Sequence, residues 1–342
     1  MEWRISGLRQ ETEDTITYFL NPIKETGFTY QAGQFLTILF NINDRKIRRS
    51  YSFSSTPGTD KYPSLTIKRI PNGEVSRYIH DYWNVGTIIE TLNPSGRFVL
   101  EPIEKEPRDI FLLAAGSGIT PIYSLLQQAL TSDKANKVHL LYSNKTQRST
   151  ILYQQILEWK ERFPENLEII FFFSDSKRLE MARLTKYVLE EIVSRRHYFP
   201  LQNAIFFLCG PHEYMQMAGI ELRSMGIAPE KIRREVYEVT LVSPPKWELS
   251  DKSPKEVTIH YQRNDYKFTV PHNKSILDVA LENGIELPYS CRSGKCSACA
   301  ARCVRGKVVM SYNEVLTERD ENEGVMLTCT GHPLTSDVEI TY

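Results

Sequence analysis

The sequence predicts a multidomain protein: an antiparallel β-barrel, then an α/β domain built on a parallel sheet, then a small α+β domain. Three observations carry this. Residues 1 to about 105 run as short alternating segments broken by turns, which suits antiparallel strands. Residues 108 to about 240 alternate apolar runs with amphipathic stretches, the pattern of a parallel sheet covered on both faces. A proline-bearing stretch then leads into a compact tail holding most of the cysteines. At 342 residues the chain is long enough for two or three domains.

In the first region the expected strands are QFLTILF, RRSYSFSS, SLTIKRI, TIIETLNP and RFVL, with one helical stretch, VSRYIHDYW, at 75–83. In the second, IFLLAAG, KVHLLYS, LEIIFFFS, AIFFLCG and IRREVYEV are expected strands. PIYSLLQQAL, ILYQQILEWKERF, LTKYVLEEIVS and HEYMQMAGIELRSMG are the helices between them. Such sheets bind ligands beyond the carboxyl ends of their strands. The stretch VSPPKWELSDKSPKE at 242–256 has three prolines and mixed charge, so it is a poor core former. After it come a hairpin, VTIHYQ and YKFTV, the helix SILDVALENG, the cysteine loop, and the strands RCVRGKVVM, GVMLTC and DVEITY.

Four cysteines carry the most specific signal. Cys291, Cys296 and Cys299 lie in CRSGKCSAC, and Cys329 follows in LTCTGHP. The gaps are four, two and 29 residues, which is the plant-type ferredoxin spacing for a [2Fe–2S] cluster. Gly294 lets the loop curl so that amide groups reach the sulfurs. A zinc knuckle usually pairs two Cys-x-x-Cys units, and only one occurs here. Cys303 reads as a buried non-ligand, because Cys329 is better placed as the fourth.

Lys plus Arg and Asp plus Glu are equal at 42 each, so net charge offers no case for a nucleic-acid or anionic-lipid partner. MEWRISGLRQ has no apolar core of a signal peptide, and no transmembrane segment is expected, since no stretch approaches 18 apolar residues. Six cysteines in this length do not form a disulfide framework, which points to a reducing, cytoplasmic setting.

RRSYSFSS at 48–55 places Arg49, Tyr51, Ser52 and Ser54 on one strand, with Arg49 and Tyr51 on the same face. An arginine can clamp a pyrophosphate and a tyrosine can lie on an isoalloxazine ring; a plain edge strand with a solvated basic run is the alternative. Downstream, a turn at Pro71-Asn72-Gly73 precedes a helix starting near Val75-Ser76, an anion site through its amide groups or simply a serine N-cap. PSGRF at 94–98 is a further turn. In AAGSGITP, Gly116 and Gly118 allow a tight turn and close phosphate approach. No GK[ST] follows, so it is not a P-loop, and the third glycine of the dinucleotide fingerprint is missing. FLCGPHEYM ends a strand in Cys209-Gly210-Pro211 before a helix; a buried strand cysteine is the plain alternative for Cys209.

Taken in order, these motifs resemble the ferredoxin–NADP reductase superfamily, with its R-x-Y-S-x-S strand, G-x-V-S helix start, G-x-G-I-T-P loop and CGP loop. The resemblance implies an FAD-binding β-barrel domain over 1–105, an NAD(P)-binding α/β domain over 106–241, a linker over 242–256 and a β-grasp [2Fe–2S] ferredoxin domain over 257–342. By it Arg49, Tyr51, Ser52 and Ser54 bind FAD, and Gly73, Val75 and Ser76 meet its pyrophosphate; the helix start favours FAD over FMN. Thr120 and Pro121 face the flavin–nicotinamide contact, and Cys209, Gly210 and Pro211 lie under the nicotinamide. Glu235 and Tyr237 match an E-x-F/Y segment near the flavin. Ser52, Cys209 and Glu235 are thereby the expected catalytic residues. A 2′-phosphate would need cations, offered by Lys145 and Arg148 with Ser149, or by Lys177, Arg178 and Arg183, which leans toward NADPH over NADH.

The C-terminal ferredoxin is similar to that of reductase components of multicomponent oxygenases, the phenylacetyl-CoA epoxidase type among them. The order implies a wire from NAD(P)H through FAD and the cluster to an electron-acceptor protein: an oxygenase, desaturase, ferredoxin or cytochrome. A general ferredoxin or cytochrome reductase, a slow redox sensor and a zinc-stapled binding module are the competing readings. Arg292, Lys295, Arg302, Arg305 and Lys307 crowd the cluster region and suggest an acidic docking face on the acceptor, or serve only solubility.

Overall fold

The computed structural model describes residues 1–24, 28–101, 107–132, 135–237 and 251–342. They form two compact units, Met1–Glu235 and Val236–Tyr342.

The first unit opens with a six-stranded antiparallel sheet: β1 (Glu2–Thr12), β2 (Thr15–Pro22), β3 (Phe35–Ile42), β4 (Arg45–Ser52), β5 (Ser64–Lys68) and β6 (Ile88–Thr91), in the order β4-β3-β6-β1-β2-β5. An isolated bridge between Phe53 and Leu65 and the Ser54 N–H donating to Ser64 O at 2.9 Å join the β4 end to β5, closing the barrel. Trp3 and Ile5 of β1 are fully buried, so the opening decapeptide, expected only to lack a signal core, is an alternating strand. Helix α1 (Glu74–Tyr82) packs Val75 and Ile79 into the barrel core. RFVL is a correction: it forms no strand, and Phe98 and Leu100 plug into the core of the nucleotide half, Phe98 edge-on to Phe207 at 5.2 Å. The expected strand through Ser54 also stops short, at Ser52.

The same unit continues into five parallel strands: β7 (Asp109–Ala115), β8 (Lys137–Asn144), β9 (Leu167–Phe173), β10 (Ile205–Cys209) and β11 (Ile232–Glu235). Helices α2 (Ile119–Ser132), α3 (Tyr153–Arg162), α4 (Leu179–Ala182), α5 (Lys186–Arg196) and α6 (His212–Ser224) connect them. The order β11-β10-β7-β8-β9 puts the reversal of direction between β7 and β10, where such sheets bind ligands. Hydroxyl contacts tie barrel to sheet: Thr56 Oγ1 donates to Ser124 O at 2.7 Å, and Ser124 Oγ to Ser55 O at 2.6 Å. Among the described residues no helix is long and apolar enough to cross a membrane.

The second unit has a mixed sheet of β12 (Lys255–Tyr261), β13 (Asn264–Val270), β14 (Ala300–Arg305), β16 (Val325–Leu327) and β18 (Val338–Thr341), ordered β13-β12-β18-β14-β16. A small ribbon joins β15 (Val308–Met310) to β17 (Gly331–Pro333), and the helices are α7 (Ile276–Glu282) and α8 (Glu318–Asn322). Ser275 caps α7, and Ile276, Leu277 and Ala280 enter the core. Of the expected linker, 242–250 lie outside the described residues, as do the last two residues of the expected strand IRREVYEV. Lys255 and Glu256 already belong to β12.

At the reversal point a Cβ on Gly118 would lie 2.2 Å from the Cys209 carbonyl oxygen and 2.7 Å from Gly210 N. Both are backbone atoms, so the strand ends must separate to admit a methyl. Gly118→Ala is therefore expected to cost about 1–3 kcal/mol, measured by denaturant unfolding of the cofactor-free protein. Gly7→Ala, whose methyl would meet only the Phe19 ring at 3.5 Å, should barely move the midpoint.

Candidate active site and cluster loop

Strand β4 carries Arg49 and Tyr51 on one face, with Arg49 exposed and Tyr51 half-buried. Burial pushes the Tyr51 phenol well above its ordinary value, while the Arg49 charge opposes this. Ser54 lies elsewhere: its hydroxyl is committed inside the barrel to Ser64 Oγ at 3.0 Å and Thr66 Oγ1 at 2.7 Å. Helix α1 begins after Gly73 with no side-chain cap. Ser76 is not the N-cap; its Oγ accepts from Ile70 N at 3.1 Å and closes the preceding turn. The amides of the first helical turn are thus left for an anion. A Cβ at Gly73 would strike Ser76 Oγ at 2.5 Å, so this close turn needs glycine. An uncapped start beside an arginine-bearing strand fits a flavin pyrophosphate.

Gly116 adopts a left-handed conformation (φ 54°) as β7 turns into a single 3₁₀ turn and then α2. Its carbonyl accepts from the buried Tyr142 hydroxyl at 3.0 Å. Thr120 and Pro121 are buried in the first turn of α2, and Thr120 Oγ1 donates to Ser117 O at 3.2 Å. Across the reversal point Cys209, fully buried, ends β10, and α6 starts after Pro211 without a side-chain cap. The open start of α6 and the close glycine contact make a floor that suits a dinucleotide phosphate. Tyr214 joins this floor without having been expected there. A Cβ on Gly210 would meet its ring at 3.2 Å, and its hydroxyl faces Ser143 at the end of β8. A lone tyrosine two residues into a helix gives no sequence signal.

The three residues expected to act in catalysis come together. Cys209 and Glu235 are register partners on β10 and β11, and the Ser52 hydroxyl hydrogen-bonds the Glu235 carboxyl. Although Glu235 as a residue keeps partial exposure, its carboxyl group is enclosed. That enclosure raises its pKa from 4.5 to about 8, against the lowering pull of Ser52. Tyr237 is 39 % exposed.

The five candidate 2′-phosphate cations, Lys145, Arg148, Lys177, Arg178 and Arg183, are all exposed. The loops bearing them are joined: Ser174 N donates to Asn144 O at 3.0 Å and Asp175 N to Lys145 O at 3.2 Å. Thr146 and Ser149 form a capping box around Arg148, so Ser149 serves its own turn. Asp175 brings an opposing charge to the same loop pair.

In the second unit the cysteine loop is strained. Arg292 and Ser297 take left-handed conformations (φ 55° and 52°) beside Gly294 (φ 73°). The curl turns amides inward: Ser293 N and Lys295 N donate to Cys291 Sγ, and Cys291 N to Cys296 Sγ, each at 3.4 Å. Thr328 brings in the fourth cysteine, its Oγ1 donating to Cys299 O at 3.1 Å. Among the described residues, no three His, Cys, Asp or Glu side chains gather round a single metal-ion position. The thiols instead form a row, Cys296 to Cys291, Cys291 to Cys329, Cys329 to Cys299. Hydrogen bonding from Cys296 and Cys329 pulls Cys291 down, and that from Cys329 pulls Cys299 down; Cys296 and Cys329 are pushed up. Four linked sulfurs, with amide N–H groups aimed at Cys291 and Cys296, fit a bridged two-iron cluster better than one tetrahedral ion. Cys303, on β14, donates its thiol to Arg305 O at 3.1 Å and faces away from this row in its bonding.

The expected basic patch is corrected in part. Arg292 pairs with Asp278, Arg305 with Asp337 and Glu339, and Lys295 is buried beside Glu314. Arg302 and Lys307 are exposed.

Fold and site together define an NAD(P)H-dependent oxidoreductase of three domains that uses FAD and a [2Fe–2S] cluster. Residues 4–100 match the oxidoreductase FAD-binding domain, 112–219 the oxidoreductase NAD-binding domain, and 259–334 the 2Fe-2S iron-sulfur cluster binding domain. The chain is 33 % identical over 319 residues to the ferredoxin reductase component of 3-ketosteroid-9-alpha-monooxygenase from Mycobacterium tuberculosis, covering 92 % of this chain and 85 % of that one. It is 29 % identical over 347 residues to one of the subunits of the 1,2-phenylacetyl-CoA epoxidase from Escherichia coli, covering 99 % and 96 %. Phthalate dioxygenase reductase shares its fold along the whole length, with a TM-score of 0.59 at 19 % identity, covering 100 % of this chain and 98 % of that one. The protein belongs to the family of ferredoxin reductase components represented by the mycobacterial relative. It passes electrons from NAD(P)H through FAD and a [2Fe–2S] cluster.

Two measurements follow from this geometry. Cys329→Ser should abolish the cluster absorption and Cys303→Ser should retain it; equal loss in both would sink the assignment of Cys329 over Cys303 as the fourth ligand. The fold holds a proton on Glu235 that the unfolded chain releases, so its contribution to stability falls as pH rises from 4.5 to about 8. Glu235→Gln should flatten that slope in unfolding midpoints of the cofactor-free protein taken across the window.

Proposed function

We propose that this protein is the reductase component of an oxygenase system, that NADPH is its electron donor, and that it works in the cytoplasm. The carrying observation is the meeting of Ser52, Glu235 and Cys209 at the ends of β10 and β11, beside the reversal point of the parallel sheet. When bound, FAD accepts a hydride and releases electrons singly to the cluster. Arg49 and the uncapped start of α1 hold the pyrophosphate, and Tyr51 lies against the flavin ring. Gly116, Gly118, Thr120 and Pro121 seat the nicotinamide half on one side, and Cys209, Gly210 and Pro211 on the other. Ser52 donates toward the reacting ring and is oriented by Glu235, whose enclosed carboxyl holds a proton near neutral pH and bonds without adding charge.

Cys291, Cys296, Cys299 and Cys329 are proposed as the cluster ligands. The relatives named above serve a monooxygenase and an epoxidase by their descriptions, which supports an oxygenase as the acceptor rather than a general ferredoxin, desaturase or cytochrome. With three of five cations already paired near the cluster, the acceptor surface needs only modest acidity. Arg148 and Lys145, with Lys177, Arg178 and Arg183 on the adjoining loop, outnumber Asp175 and favour a 2′-phosphate.

An anaerobic visible spectrum during titration with each nucleotide tests the reading. Flavin and cluster bands should bleach at lower NADPH than NADH. Arg148→Ser should weaken NADPH about tenfold, the loss expected for one charge-assisted hydrogen bond, and leave NADH nearly unchanged. Preference for NADH would overturn the donor. Zinc in place of iron would overturn the ligand set.

A further inference from the structure

Lys295 departs from the behaviour of the other cations near the cluster loop. Arg292 keeps half its side chain in water, whereas the Lys295 side chain is 6 % exposed and that of Glu314 12 %. Its ammonium lies 3.9 Å from Glu314 Oε2 and 5.9 Å from the Tyr312 ring centroid. The Tyr312 hydroxyl donates to the same Oε2 at 2.8 Å, so Glu314 is shared and fixed. The backbone stitches this group to the loop: Glu314 N donates to Gly294 O at 3.1 Å, and a Cβ on Gly294 would meet Tyr312 O at 2.6 Å. Lys295 N itself donates to Cys291 Sγ.

Taking an ammonium and a carboxylate out of water is costly, so their burial together beside the cysteine loop calls for a reason. A lysine serving only solubility would extend outward on its four-carbon stem. Here the buried lysine directly precedes Cys296 in the chain, and its backbone amide donates to Cys291 Sγ. A cluster held by four thiolates is anionic and gains one further negative charge, without a proton, when it accepts an electron. A buried cation alongside favours the reduced form, and a neighbouring carboxylate opposes it.

We propose that the Lys295–Glu314 pair, with Tyr312 fixing the carboxylate, sets the reduction potential of the cluster, the lysine raising it and the glutamate tempering that rise. The proposal rests on Cys291 and Cys296 being ligands. Iron content and visible absorption of the purified holoprotein are therefore read first. Iron absent from the wild type would overturn the ligand assignment and this proposal with it.

The test is an EPR-monitored redox titration of full-length holoprotein. Lys295→Met should shift the cluster equilibrium about tenfold toward the oxidised form, about 59 mV for one electron. Glu314→Gln should shift it the opposite way, and Lys295→Arg should stay near wild type. Where Lys295→Met fails to retain iron, Glu314→Gln decides: a more readily reduced cluster supports the pair, and an unchanged one overturns it. Cluster retained in all variants with the equilibrium unmoved, or both neutral variants shifting the same way, would show the pair to be purely structural.

Discussion

The backbone of residue 118 runs against the carbonyl of Cys209, closer than any side chain would permit. That approach brings the ends of β7 and β10 together where the parallel sheet reverses direction. The uncapped start of α6 and the first turn of α2 then lie at these strand ends. With a side chain at 118, the strand ends would part and the amides would diverge. Gly210 extends the constraint, since a Cβ there would meet Ala115 at 2.9 Å. Glycine serves here by absence of volume, while at Gly116 it supplies a left-handed turn.

What this floor can do depends on the barrel being held at a fixed setting against it. The Thr56, Ser124 and Ser55 bonds satisfy buried hydroxyls across the join, and groups so buried are expensive to leave unmatched. Phe98 and Leu100 add apolar insertion from the barrel side into the sheet core. The result is that the last residue of β4, Ser52, reaches the carboxyl of Glu235 on β11. A hydrogen bond between residues so far apart in sequence is the product of two packed cores, whose enclosure keeps the carboxyl protonated against the pull of Ser52.

The cluster loop solves a different problem. Four sulfurs must converge with amide groups aimed at them, which forces left-handed backbone at two non-glycine positions. Such strain persists only where surroundings over-determine it. Thr328 holds Cys299, and Tyr342 holds Thr328 through a 2.7 Å hydroxyl contact. The Tyr312–Glu314 segment braces the opposite side at Gly294. Lys295 is drawn into that brace, which is why a residue of a basic run is buried with an acid instead of joining a surface patch.

The sequence by itself determined what is set by local spacing. The cysteine gaps, the glycines of AAGSGITP and CGP, and the change from period-two segments to strand–helix alternation are properties of neighbouring residues. From them the three architectures, the cofactor classes and the order of the chain could be read, and β7 to β10 and α1 to α3 fell close to their expected places. Tertiary structure alone decided where a polar group spends its hydrogen bonds. Ser54 turned into the barrel toward Ser64 and Thr66, Ser76 closed a turn, the Tyr214 hydroxyl was enclosed and Lys295 became buried. RFVL left the barrel because the apolar surface that Phe98 and Leu100 cover belongs to the other sheet. Hydrophobic period and ligand spacing are encoded along the chain, whereas burial and hydrogen-bond partnership depend on elements far apart in sequence that exist only once the cores have packed.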